Sequence, residues 1–109
     1  MRARDPLSEP FEVTQFVAEV GTRIRVQRLA RGLSQADLAE RADISRQTLM
    51  AIEAGALSTR FADVARVLWA LDDVSLQGAL ASATEDEAYQ DAVRSRLPRF
   101  KRRAKKESA

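Results

Sequence analysis

The sequence predicts an all-α protein, a compact five-helix bundle followed by an additional C-terminal helix and a basic tail. Three observations carry that prediction. Apolar residues recur at helical spacing along nearly the whole chain, and no run alternates with the period of two that a half-buried strand needs. Serine, threonine and aspartate stand where helices should open, because their side chains accept from the free amides of a first turn. Glycine is sparse, four in 109 residues. Each falls where a helix can begin or end, or in a weakly patterned stretch.

Taken in order, residues 1–13 form a polar arm that includes two prolines. A first helix is expected over residues 14–30, with Phe16, Val17, Val20, Ile24 and Leu29 facing inward. Gly32 follows in the place of a C-terminal cap. A second helix opens at Ser34, where Asp37 favours the positive helix end, and stops near Ala42. A third opens at Ser45 by the same logic and runs to Gly55. The fourth buries Phe61, Val64, Leu68 and Leu71 on one face. A fifth, weaker helix covers residues 76–82. Thr84 and Glu87 then have the spacing of a capping box, so a last helix starts there and ends before Pro98. Its apolar face (Ala88, Tyr89, Ala92, Val93) is thin. The expected organisation is therefore residues 1–13 as arm, 14–83 as the main domain, and 84–109 as helix and tail.

Composition removes several functional classes. The chain has neither cysteine nor histidine, which leaves no disulfide, no thiolate metal site and no nucleophile–histidine pair. It also lacks a glycine-rich phosphate loop. An enzyme, a metal and a cofactor are accordingly not expected. The acidic groups Asp72–Asp73 and Glu85–Asp86–Glu87 read as helix N-terminal charges rather than as a catalytic pair. The N-terminus does not look like a signal peptide and no uncharged stretch is long enough for a membrane span, so a cytoplasmic protein without membrane contact is expected. The net charge of +2 and the basic isoelectric point are unevenly founded. Arg99, Lys101, Arg102, Arg103, Lys105 and Lys106 stand against Glu107 alone in the tail. That tail reads as a solubilising end, as a nonspecific phosphate binder, or as a dock for an acidic partner, and Phe100 among the charges favours a specific contact.

The informative feature is the pair of short helices joined by about three residues, 42–44. So short a link makes the helices cross steeply, and the facing residues must be small. Ala39 sits at that crossing, with Leu38, Ile44, Leu49 and Ile52 supplying apolar contacts. The link needs one residue with positive φ. Asp43 occupies that position, at a cost of about 1 kcal/mol. This is helix-turn-helix geometry.

The stretch RIRVQRLARGLSQADLAERADISRQTLMAIEAG, residues 23–55, resembles the phage-repressor-like (Xre-type) helix-turn-helix family. Its LSQ-x-x-LA, I-S-x-x-T-L and I-E-x-G elements all fall at the right spacing, and the likeness extends over residues 16–71. The resemblance implies a lambda-repressor-like fold that binds double-stranded DNA as a homodimer, the third helix lying in the major groove and half-sites about 34–36 Å apart. Carried over residue by residue, it implies a phosphate contact for Gln35. Ser45, Arg46, Gln47 and Thr48 match positions nearest base edges and phosphates, and Met50 and Ala51 could offer apolar contact to a thymine methyl. Arg28 and Glu53 match a buried salt bridge between the first and third helices. Two departures stand out: Asp43 replaces a common glycine, and Ala54 replaces a common asparagine, with Arg60 placed to restore its phosphate contact. No site is assigned to Arg23, Arg25, Arg31 or Arg66. Trp69, off the inward stripe of its helix, reads as a half-buried packing residue or as a dimer or partner contact.

The leading function is a sequence-specific transcriptional regulator, most simply a repressor. The chain also resembles HipB-like antitoxins in size and in placing extra elements after a lone helix-turn-helix domain, which implies autoregulation and a kinase-like toxin protein as partner. The sequence leaves both open. The alternative class is a protein-binding adaptor of the same fold, whose C-terminal segment docks a partner.

Overall fold

A computed structural model of the chain describes residues 8–96, with Gln77 described through its backbone alone. Among these residues there are six helices and no strand: α1 (Phe11–Ala30), α2 (Gln35–Ala42), α3 (Arg46–Glu53), α4 (Phe61–Leu71), α5 (Val74–Thr84) and α6 (Glu87–Arg96). No helix among the described residues is long and apolar enough to cross a membrane. The expected all-α class holds. Residues 1–7 of the expected arm and the basic tail, including Phe100, lie outside the described residues.

Backbone packing separates a unit ending at Asp72 from one beginning at Asp73. The sequence reading instead carried the main domain to residue 83. The break has a local cause in the aspartate pair. Asp72 adopts φ 52°, left-handed, and closes α4, while the Asp73 carboxylate accepts from the Leu76 amide at 3.1 Å and opens α5.

In the first unit, α1 begins three residues earlier than expected. The Pro10 carbonyl accepts from the amides of Val13 and Thr14, and Glu12 lies in the favourable first turn. Its end follows the glycine signal. Gly32 is left-handed at φ 67°, its amide reaches the Leu29 carbonyl, and the Leu33 amide reaches Arg28. That pair of bonds is a Schellman closure. The same pattern closes α2 through Asp43 and α3 through Gly55.

The core comprises Ile24, Leu38, Ala39, Ala42, Leu49, Ile52, Val67 and Leu71, with Val20, Ile44, Val64, Leu68 and Ala70 packed against it. Full burial of Ile24, Leu38, Leu49, Leu71 and Val67 contributes about 1.5–3 kcal/mol each. Four residues expected to face inward are not in that cluster. Phe16 is 65% exposed, Leu29 56% and Phe61 87%, and Val17 is only half-buried. On α1 the buried line is Gly21, Ile24, Arg28, so the inward place near Leu29 belongs to an arginine. On α4 the buried line is Asp63, Val67 and Leu71, and Phe61, the first residue of the helix, falls off it.

In the second unit, α5 carries no charged residue and none of its described side chains is buried. The expected Thr84 capping box is replaced by a different cap. The Thr84 hydroxyl donates back to the Ala81 carbonyl, and the Asp86 carboxylate accepts from the Tyr89 amide at 3.2 Å. Two capping residues stand two positions apart, and the carboxylate takes the helix start.

Candidate functional site

The site is built from the turn between α2 and α3. Asp43 holds φ 56° and ψ 47°, and the Ile44 amide returns to the Ala39 carbonyl at 3.0 Å. Ala39 and Ala42 are buried at the crossing, where a longer side chain would push the two helices apart. Both helices are capped by serine. Ser34 accepts from the Asp37 amide at 3.0 Å while Asp37 accepts from the Ser34 amide at 3.2 Å, a reciprocal box. The Ser34 hydroxyl, then its backbone amide, then Arg41 hold the Asp37 carboxyl below the ordinary aspartate value. Ser45 accepts from the Thr48 amide at 3.0 Å, and the two hydroxyls lie 2.8 Å apart.

These contacts fix α3 as a short rod with a dry side and a wet side. Leu49 and Ile52 face the core. Arg46, Gln47 and Met50 are exposed, and the Arg46 and Gln47 side chains make no hydrogen bond or ion pair among the described residues. Thr48 and Ala51 are half-buried along the flank.

The far end of α3 is locked to α1 by charge. Arg28 Nε donates to Glu53 Oε2 at 2.8 Å and its Nη2 donates to Oε1 at 3.0 Å. A third guanidinium N–H reaches the Leu33 carbonyl at 2.9 Å. Both side chains are more than nine-tenths buried. The bond to Glu53 is the main reason that Arg28 titrates above the usual guanidinium value. The Gln35 amide donates to Glu53 Oε1 at 3.3 Å, joining the start of α2 to the same cluster. Among the described residues no buried side-chain N or O atom lacks a partner.

Gln35, Arg46 and Met50 line one shallow depression, together with Arg25 of α1 and with the Arg28–Glu53 pair. Gln47 and Thr48 continue along α3 beside it. Arg60 does not line it; that residue precedes α4, its carbonyl accepting from Asp63 and Val64 and its side chain capping nothing. Two residues escaped the sequence reading. Arg25 is one of many solvated arginines in the sequence, and only the fold places it on the same depression as Arg46. Gly21 looked unremarkable, yet a Cβ built on it would stand 2.4 Å from the Ile52 carbonyl oxygen and 2.8 Å from that of Glu53. Backbone meets backbone here, which sets how closely α1 and α3 approach. The available signal was a glycine inside a strongly helical run.

Comparison with known proteins adds one finding. Residues 19–72 match a family model described as a helix-turn-helix domain, a span that ends at the left-handed residue closing α4. No curated protein and no solved structure gives a significant match.

Proposed function

Residues 19–72 belong to the helix-turn-helix domain family, and from that premise we propose that the chain is a sequence-specific duplex-DNA-binding transcriptional regulator, a repressor that acts as a dimer. One observation carries the reading. An α3 capped by Ser45 at its start and locked by the buried Glu53–Arg28 pair at its end presents Arg46 and Gln47 to solvent, with no partner of their own among the described residues. Side chains so placed can be spent on an external ligand without leaving an internal group unsatisfied.

In the major groove Arg46 grips guanine O6 and N7, and Gln47 grips adenine N6 and N7, each pair discriminating by about 1–3 kcal/mol. Met50, exposed one turn later, meets a thymine methyl. Gln35, Ser45, Thr48 and Arg60 serve the backbone. The two hydroxyls of Ser45 and Thr48 share one hydrogen between them, so the other remains to donate to a phosphate. Two copies reading half-sites a helical turn apart give the operator two-fold symmetry.

Repression within a toxin–antitoxin pair is a finer form of the same reading, in which Val74, Leu80 and Tyr89, exposed on α5 and α6, meet a kinase-like toxin. An adaptor that binds protein instead of DNA draws on Trp69, which is 72% exposed. It would leave Arg46 and Gln47 dispensable and make Trp69 and Tyr89 essential.

Selection of bound duplexes from a random pool tests the proposal, with wild type and the Arg46→Ala/Gln47→Ala variant side by side at near-physiological salt. A two-fold-symmetric motif lost in the variant is expected. No enrichment by wild type would overturn sequence-specific reading and favour the protein-binding adaptor.

A further inference from the structure

We infer that Arg25 is a phosphodiester-binding residue, so that α1 takes part in holding the duplex; the inference rests on the duplex-binding reading above. Arg25 and Arg28 are three positions apart and so share a side of α1. Arg28 turns inward and spends its charge on Glu53. Arg25 remains exposed and, like Arg46, forms no ion pair or hydrogen bond among the described residues. Both line the same depression.

The charges of that depression are the argument. Its floor is neutral, because the Arg28 guanidinium and the Glu53 carboxylate cancel and both are buried. Its remaining lining residues include Ser34, Gln35, Ala36 and Met50, none of them charged. Arg25 and Arg46 are thus two cations with no exposed carboxylate among the lining residues. One Gln35 N–H goes to Glu53 and the second is left to donate outward. With Arg46 turned to a base edge, an anion that settles there meets Arg25 and the Gln35 amide donor, with the Arg46 charge on the same depression. Once α3 lies in the groove, the anion next to Arg46 is a backbone phosphate flanking that groove. Arg25 springs from a different helix than the base-reading side chains, so it strengthens binding to every sequence alike.

The test uses the full chain and a mixed-sequence duplex, titrated across a salt series. Arg25→Ala should weaken binding and lower the slope of log K against log salt by about 0.9. Arg25→Lys should retain the slope. Arg31→Ala is the charge-matched control: its guanidinium is occupied by the Gln27 carbonyl and it does not line the depression, so the slope should stay at the wild-type value. Equal slopes for Arg25→Ala and Arg31→Ala, with wild type binding normally, would overturn the inference alone. A change in the selected sequence on Arg25→Ala would also overturn it, since a phosphate contact carries no base preference. Failure of wild type to bind duplex at all would overturn the underlying reading with it.

Discussion

Replacing Gly21 by alanine adds one methyl group at the point where α1 and α3 come closest. Two opposing terms follow. Alanine in a helix interior is favoured over glycine by about 0.8–1.0 kcal/mol, and α1 runs ten residues beyond this position in one direction and nine in the other, so that gain is available in full. Against it, the new carbon would stand 2.4 Å and 2.8 Å from two backbone carbonyl oxygens. No side-chain rotation can relieve that contact, because neither neighbour is a side chain. Relief requires the end of α3 to move away from α1, and overpacking of this kind costs about 1–3 kcal/mol, sometimes more. The same movement strains the bidentate Arg28–Glu53 pair, whose Glu53 belongs to the displaced turn. The steric term wins, for a net loss of about 1 kcal/mol. In a domain of this size each kcal/mol moves the Tm by about 4–8 °C, so thermal unfolding followed by circular dichroism should show a fall of roughly that size. Gly78→Ala supplies the contrast, since a Cβ there meets nothing within 4 Å and only the propensity gain remains. If Gly21→Ala matched or exceeded the stability of wild type, the close approach of α1 and α3 would be refuted.

Three further outcomes are expected. Glu53→Gln leaves the Arg28 charge buried without its counter-ion and should cost about 3–5 kcal/mol, read as the midpoint shift in urea unfolding; a wild-type midpoint would show the pair to be dispensable. Ala39→Leu, at a position 3% exposed, should cost about 1–3 kcal/mol by overpacking, and an unchanged Tm would contradict the packing at the crossing. Asp37 has a depressed pKa in the fold, so the stability it contributes is present above its unfolded value of 3.8 and is lost as pH falls through the folded one. Asp37→Asn should therefore lower the Tm at neutral pH, and the gap to wild type should close in acid below that value. A gap independent of pH would remove the carboxylate from the cap.

Local chemistry was the legible part of this fold. Ser34 and Ser45 open helices, Gly32 and Asp43 close them, and each does so through bonds to residues within five positions, which a sequence reader can enumerate. Direction was harder. Helical spacing groups Phe16 with Val20 and Ile24, or Phe61 with Val64 and Leu68, but it does not say where the buried line lies within the stripe. A buried arginine at position 28 made the inward face of α1 look more apolar at Leu29 than it is. The same limit hid Gly21 and Arg25. The steric need at Gly21 comes from Ile52 and Glu53, more than thirty positions away, and the place of Arg25 in the depression depends on α3 packing against α1.

The chain has a single tryptophan, and its position on the outside of α4 decides what its fluorescence reports. An indole that is already 72% exposed is wet in the folded state, so its emission changes little on unfolding and is readily quenched by iodide throughout. Covering it changes both properties at once. Emission that shifts to the blue and loses quenching as protein concentration rises would report that the outer face of α4 has become covered, read in the same cuvette in which circular dichroism follows the helices.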